Sequence, residues 1–545
     1  MKPTLPPAAL AAAAGLLMLA CGPARQVAPA PGGEGQPRHG GSLSVRMPTD
    51  MFDFDTTYVG QSTPNSWGTG LGHVNLLDFK VGPDVGYADA ILTPELAERW
   101  EVSPDAKTFT FHLRKGVKYQ EKAPVASREI TSADVKWSFE YISRTGEFAT
   151  KNLPKSQGDW MFTTLEGVDT PDPSKVAVRF KAPFAPFVYY AASERLNPIY
   201  PREVYEQDGN FKAKLIGPGA FQLDDAATQR GARWTFKKNP GYWEAGKPYL
   251  DEVRFLPIPD DGTAQAAFQT KQIDLLDMDL SLQAADDLAK ARPDGVMYRY
   301  PSPTPMQLFW NVQRPPMNDY RVRQAIALAI DRDEFIKTFT GGQGTWAISG
   351  ALAGVFSQEE LRGIQKFDPE RARQLLREAG YTDTFSIEMN YPGKAYGDQF
   401  ITEMELLQAQ LRKIGIQLVF KSQDKEAFSA SKKTGEYFIN LTRSANLEGD
   451  IADWVFSMYH QDSRQNNYHV KDPQLTARLE AMQGITDGAK RKEEVRAISK
   501  YVYDKGWGLS IYHGMEHNFW TNQLKNYAPN FWKKGPPVVN SWLER

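Results

Sequence analysis

The 545-residue chain has a single cysteine, Cys21. No disulfide can close within it, and no metal site built on a pair of thiolates can form. It also lacks a charge excess: 64 Lys and Arg stand against 66 Asp and Glu, a net charge of −2. That balance argues against a nucleic-acid footprint, which needs a basic patch or stripe. The apolar run from Ala8 to Ala20 is too short to cross a bilayer as a helix. There is no G-x-x-x-x-G-K-[ST] loop to cradle a nucleotide's phosphates and no G-x-S-x-G elbow for a serine nucleophile.

What is present begins with that short apolar run. Met1-Lys2 precedes it and Cys21 closes it. The arrangement resembles a bacterial lipoprotein signal, in which the cysteine becomes an acylated N-terminus and the mature protein is anchored to a membrane without spanning it. Residues 22–41 are rich in Pro, Gly and Ala without an apolar period, the composition of a flexible tether. A chain of 545 residues exceeds what one core serves, so two or three domains are expected. Aromatic residues make up 12%, enough to wall a ligand cleft as well as fill cores.

The stretch from Leu96 to Ile142 reads as strand, turn, strand, loop and helix. Phe109, Phe111 and Leu113 alternate with Thr108, Thr110 and His112, the period of a half-buried sheet. Ser103-Pro104-Asp105-Ala106 is turn chemistry. Thr131 as N-cap and Asp134 at the third helical position start a helix that carries Val135, Phe139 and Ile142 on one face. Further strands are expected at Ser42–Met47, 176–180, 251–258, 307–311, 385–389, 416–420 and 509–512. Helices are expected after Asp319 and Asp368, across 400–414 and across 490–503. From residue 311 onward strands and helices alternate, as in α/β units.

The order of residues in the first of these stretches resembles the family 5 extracellular solute-binding proteins, the peptide- and nickel-binding group of ABC importers. The resemblance rests on Ala97-Glu98-Arg99-Trp100, on Ser103-Pro104-Asp105, on Thr108 to Tyr119, and on Thr131 to Phe139. It continues through Ile216-Gly217-Pro218-Gly219-Ala220-Phe221, Lys238-Asn239-Pro240-Gly241-Tyr242-Trp243, Gln272-Ile273-Asp274-Leu275 and Asp319 to Arg332. Residues 120–123 depart from it, since Gln-Glu-Lys-Ala stands where the family has a short H-D-G turn.

The resemblance implies an α/β, two-lobed, periplasmic-binding-protein-like fold (type II, cluster C) with a small extra subdomain in the first lobe. On that reading the signal occupies 1–21 and the linker 22–41. Lobe I spans 42–310 with an inserted subdomain near 91–213. Lobe II spans 311–510, and 511–545 returns to lobe I. The implied function is capture of a peptide or other small polar solute between the lobes and delivery to a membrane permease. The implied partners are permease and ATPase subunits. The protein would be a monomer in the cell envelope, held through lipid on Cys21, with no cofactor, no metal and no catalysis.

The family carries an A-D-Y-x-D-P-x-x-F motif on the cleft side of lobe II, and its first aspartate grips the ligand ammonium in peptide-binding members. Asp450 holds that place in Asn440 to Phe456, with Trp454 where the proline stands and Ile451 for tyrosine. Asp450 is therefore the candidate for an ammonium group. Arg443 is the candidate for a carboxylate, Asn446 and Trp454 are further contacts on the same segment, and Tyr512 and His513 come from the late strand. Two other readings stand beside transport. His513-Gly514-Met515-Glu516-His517 matches the H-x-x-E-H zinc-hydrolase pattern, but its neighbours read as strand, which would hold the two histidines roughly 13 Å apart. A peptide sensor or chaperone on the same scaffold is the other. His460 and His469 sit in a polar loop with spacing too sparse for a metal site.

Overall fold

A computed structural model of the chain describes residues 35–57, 63–156, 158–193, 197–278, 280–393, 397–443, 449–463, 465–533 and 535–544. Three large sheets organise them, beside two two-stranded ones, Leu77–Phe79 with Leu92–Pro94 and Leu524–Lys525 with Trp542–Leu543. The first has seven strands in the order Gly295–Pro301, Met515–Thr521, Leu275–Met278, Ser42–Met47, Glu252–Pro257, Trp234–Lys238 and Phe221–Leu223. The second has six, in the order Thr345–Trp346, Leu509–His513, Met306–Trp310, Ile439–Arg443, Phe385–Tyr391 and Ile416–Ser422. The third is an antiparallel sheet of Ala97–Val102, Thr108–Leu113, Lys175–Phe180 and Leu165–Asp172.

Alternation decides which core each strand feeds. In the strand Leu275–Met278, Leu275 joins the cluster around Val45, Trp234 and Phe255, while Leu276 joins the cluster around Phe268 and Ala285 on the opposite face. Trp520 and Phe519 divide the same way on the neighbouring strand. The helices Asp261–Gln269 and Leu282–Ala291 cover that second face.

The stretch from Leu96 to Ile142 builds the third sheet and the helix packed on it. Phe109 and Phe111 are fully buried and meet Phe187 at ring distances of 5.1 and 6.3 Å. Each such ring withdrawn from water contributes about 2 kcal/mol. The turn forms as its composition demands: Ser103 Oγ donates to Asp105 Oδ1 at 2.6 Å, and the Lys107 amide to the same oxygen at 3.1 Å. The helix runs Ser132–Ser143, and the Thr131 amide donates to Asp134 Oδ2 at 2.8 Å in a capping box. Residues 120–122, where the family pattern breaks, tie this unit to the first sheet. Gln120 Nε2 donates to the Phe221 carbonyl at 2.9 Å and Lys122 Nζ to the Leu223 carbonyl at 2.5 Å.

The glycine block is explained by close packing. A Cβ on Gly217 would lie 2.2 Å from the Gly72 carbonyl oxygen, and one on Gly219 would lie 2.3 Å from that of Leu71. The block therefore threads past the end of the helix Thr63–Gly72 with backbone against backbone before entering the strand Phe221–Leu223.

Two chain crossings join the first and second sheets. One runs from Pro301 to Met306, the other through Gly514. They lie side by side: Pro301 pairs with Met515 in the first sheet and Met306 with Tyr512 in the second. The Ser302 amide donates to the Gly514 carbonyl at 2.9 Å between them.

Candidate ligand cleft between the two bodies

The strand Ile439–Arg443 leads into the segment that carries the candidate acids. Asp450 makes a tight turn by accepting the Ala452 amide at 2.7 Å on Oδ1, and the helix Asp453–Tyr459 starts just after it. Gly449 has φ +125°, and a Cβ there would lie 2.9 Å from Phe79 Cζ and 3.0 Å from Tyr189 Cβ. So close an approach admits only glycine. Phe79 and Tyr189 belong to the part of the chain that carries the third sheet. The Tyr190 hydroxyl, from the short helix Phe187–Tyr190, donates to Asp453 Oδ1. Burial and the neighbouring Asp453 carboxylate push that hydroxyl well above its ordinary pKa, so it stays a donor. The two bodies touch here, and again where the Ala185 amide donates to the Gln483 carbonyl at 2.7 Å.

Asp450 is 1% exposed and has a counter-ion that sequence reading missed. Arg491 Nε donates to Asp450 Oδ1 at 3.0 Å, with side-chain exposures of 4% and 1%. Arg491 Nη1 also donates to the carbonyls of Ile485 at 2.9 Å and Met482 at 3.3 Å. Arg443 is treated likewise. Its Nη2 donates to Oε1 of Glu403, a side chain that is 0% exposed. Tyr512 donates to that same oxygen at 2.5 Å and Gln399 Nε2 at 2.9 Å. Burial and Glu403 raise the Tyr512 hydroxyl well above its ordinary value.

Both missed partners left a trace in the sequence. Glu403 lies on the helical stripe of Phe400, Met404, Leu407 and Leu411, and Arg491 leads the stripe of Val495, Ile498 and Val502. A charge on an apolar stripe is buried with the stripe and demands a partner.

The remaining candidates fall in three places. Trp454 is 1% exposed within the core around Val455 and Met458. His513 lies at the crossing between the sheets, where Nδ1 donates to the Ser302 carbonyl at 2.8 Å. Asn446 and Cys21 lie outside the described residues. The strand Leu509–His513 and the strand Met515–Thr521 separate the two histidines of the H-x-x-E-H pattern. Glu516 Oε1 accepts the Ser302 hydroxyl at 2.5 Å, and His517 Nε2 accepts Arg299 Nε at 3.0 Å. His513 and Glu516 are thus taken up by Ser302 and His517 by Arg299, and the helix that a zinc site of this type needs is not formed. Among the described residues no cluster of three or more His, Cys, Asp or Glu could hold a metal ion. Cavities of about 470 Å³ beside Arg114 and Trp243, and about 400 Å³ beside Lys432 and His469, lie away from Asp450.

The α/β bodies, their paired crossings and the contact between Tyr190 and Asp453 define a two-lobed binding protein. The chain belongs to the bacterial extracellular solute-binding proteins of family 5, whose sequence profile matches residues 92–467. Proteins of this family serve ABC importers. The dipeptide-binding protein of Escherichia coli K12 is 26% identical over 502 residues, covering 88% of this chain and 89% of its own. A solved structure of a binding protein in complex with agropinic acid, from Agrobacterium tumefaciens, is 26% identical with a TM-score of 0.74, covering 93% of this chain and 99% of its own. A periplasmic binding protein from Helicobacter pylori, solved with the peptide STSA, shares the fold at 21% identity and a TM-score of 0.76, with coverage of 93% and 99%. No helix among the described residues is long and apolar enough to cross a membrane.

Proposed function

We propose that this protein captures a peptide or other small polar solute between its two bodies and hands it to the permease of an ABC importer, with a partner ATPase supplying the energy. The observation that carries this reading is the meeting of Tyr189 and Tyr190 with Gly449 and Asp453. It joins residues distant in sequence across two bodies linked by two short crossings, the geometry of hinge closure on a ligand. Lobe I is taken as 42–310 with its subdomain near 91–213, lobe II as 311–510, and 511–545 as the return. The ligand is taken to lie beside the helix Phe187–Tyr190 and the turn from Gly449 to Asp453, with Asn446 kept as a proposed contact from the sequence. The E. coli relative named for dipeptides supports a peptide, and the relative solved with agropinic acid supports a wider class of small acids.

Native mass spectrometry of the protein purified from its own host, followed by denaturation and identification of the released molecule, tests this. A bound peptide or small polar solute at near unit stoichiometry is expected. A protein that carries no small molecule, and whose melting is unmoved by a dipeptide library, would sink the reading.

Cys21 is proposed to carry the lipid that holds the mature protein, a monomer, on the outer side of a membrane. Metabolic labelling with a radioactive fatty acid should mark the wild type and leave Cys21→Ser unlabelled. Equal labelling of both removes the anchor from Cys21.

A further inference from the structure

At the end of the second sheet away from the crossings, loops from separate parts of the chain are tied together. Asn311 Nδ2 donates to the Gly435 carbonyl at 2.9 Å, the Val312 amide to that of Tyr468 at 3.1 Å, and Gln313 Nε2 to that of His469 at 3.1 Å. Beside them opens the cavity of about 400 Å³, whose wall includes Lys432, Lys433 and Lys471. Among the described residues no carboxylate lines it, and none of these lysines has an ion-pair partner. The rest of the wall is fixed. Asn466 spends its side chain on Val470, donating to the carbonyl at 2.7 Å and accepting the amide at 3.1 Å. His469 stands at φ +56°, and its ring packs on Gly435, where a Cβ would lie 3.1 Å from Nε2. Burial and, to a smaller degree, Lys471 hold that imidazole below its ordinary pKa, so the positive charge at pH 7 belongs to the lysines. Lys432 is half-buried, with Nζ 5.1 Å from the centre of the Phe428 ring, and burial and then Lys433 lower its pKa. An anion beside it would stabilise its charged form. Lys432 and Lys433 end the helix Lys425–Thr434, where cations answer the helix dipole. The dipole amounts to about half a charge. It leaves most of the charge unanswered, and it does not account for Lys471, which joins the same wall from the segment before the helix Pro473–Met482.

We propose that this cavity is an anion site, distinct from the interlobe cleft, for a phosphate group carried on a small polar body. Lysine ammonium groups are compact point charges that converge on a tetrahedral oxyanion, whereas a planar carboxylate is matched by the arginine fork. The volume is more than a bare phosphate fills and lies in the range of small-molecule pockets. Ser463 adds a hydroxyl donor to the wall. All the lining residues belong to one body, so the site is available whether the two bodies are open or closed. A soluble phosphate ester and a lipid headgroup share this chemistry, and the test separates them.

The test uses full-length protein with Cys21→Ser, so that no lipid anchor contributes, in phosphate-free buffer at fixed ionic strength. Calorimetric titration with glycerol 3-phosphate should show binding at a single site, and titration with acetate should show none. Lys432→Gln should weaken the phosphate ester about tenfold or more. Lys471→Gln, at an exposed position that the fold does not need, should do the same and keeps the test available if the half-buried variant fails to fold. Lys290→Gln, on an exposed lysine of the other body, should leave binding unchanged. Vesicles of phosphatidylcholine and phosphatidic acid in equal parts probe the second source. Retention on them but not on phosphatidylcholine alone, lost in Lys471→Gln, supports the site with a headgroup as its ligand. Binding of glycerol 3-phosphate without retention supports it with a soluble ester. No response to either probe, an equal response to acetate, or a loss as large in Lys290→Gln as in Lys471→Gln overturns the proposal.

Discussion

His513 Nδ1 lies 2.8 Å from the carbonyl oxygen of Ser302, and the Ser302 hydroxyl lies 2.5 Å from Glu516 Oε1. These contacts stitch together the two chain crossings between the sheets. His513 is 1% exposed, and burial pushes its pKa down to about 4. His517, buried beside Arg299, is held at about 4, and His73 at about 3 by burial. All three imidazoles are neutral in the folded protein at physiological pH.

Acid sensitivity follows from those histidines. In the unfolded chain each binds a proton near pH 6.5, while in the fold His513 does so only near pH 4. Between those values unfolding takes up a proton, so stability falls as pH falls through that window. At pH 5 each such histidine has given up about 2 kcal/mol relative to pH 7. Urea midpoints at pH 7 and pH 5 should differ less in His513→Gln than in the wild type. An identical pH dependence would show that the ring is not held neutral at the crossing.

Glu403, a carboxylate buried on an apolar helical stripe, should be sensitive to substitution. Glu403→Gln removes the buried carboxylate that Arg443 and Tyr512 share and should cost about 3–5 kcal/mol. Tyr512→Phe removes one neutral donor to the same carboxylate and should cost about 1.5–3 kcal/mol. Chemical denaturation of the two variants checks the order. If Tyr512→Phe proves the more damaging, the carboxylate is not what holds Arg443.

The Tyr190–Asp453 hydrogen bond should set how readily the two bodies close. Tyr190→Phe removes a donor to a carboxylate worth about 1.5–3 kcal/mol without changing the packing of the ring. Small-angle scattering of the ligand-free variant is expected to give a larger radius of gyration than the wild type. An unchanged radius would mean that closure is governed elsewhere.

Glycine at 219 should be irreplaceable where glycine at 116 is merely preferred. Gly219→Ala places a methyl group 2.3 Å from the Leu71 carbonyl oxygen and should cost about 3 kcal/mol. Gly116 has φ +76° but nothing within 4 Å of a Cβ, so Gly116→Ala should cost about 1 kcal/mol. Melting temperatures of the pair separate backbone crowding from backbone strain, and equal losses would refute the crowding.

Local chemistry was legible in the sequence because it acts between near neighbours. The capping pair Thr131 and Asp134, the turn at Ser103 to Asp105, the strand Ser42–Met47 and the helix after Asp368 are each decided within about one turn of chain. The strand pattern around His513 to His517 likewise argued against a zinc helix. The order of motifs from Ala97 to Arg332 carried the family, since it reflects a scaffold rather than a ligand. Tertiary structure alone decided who neutralises whom. Asp450 and Arg491 are 41 residues apart and Arg443 and Glu403 are 40 apart, and no periodicity reaches that far. A buried charge is settled by whichever opposite charge the packing brings within about 3 Å, because its Coulomb energy there outweighs any local preference. The sequence therefore determined that Asp450 is an acid on a segment that resembles the family's aspartate motif. Packing determined that its charge is answered by the Arg491 guanidinium, 3.0 Å away.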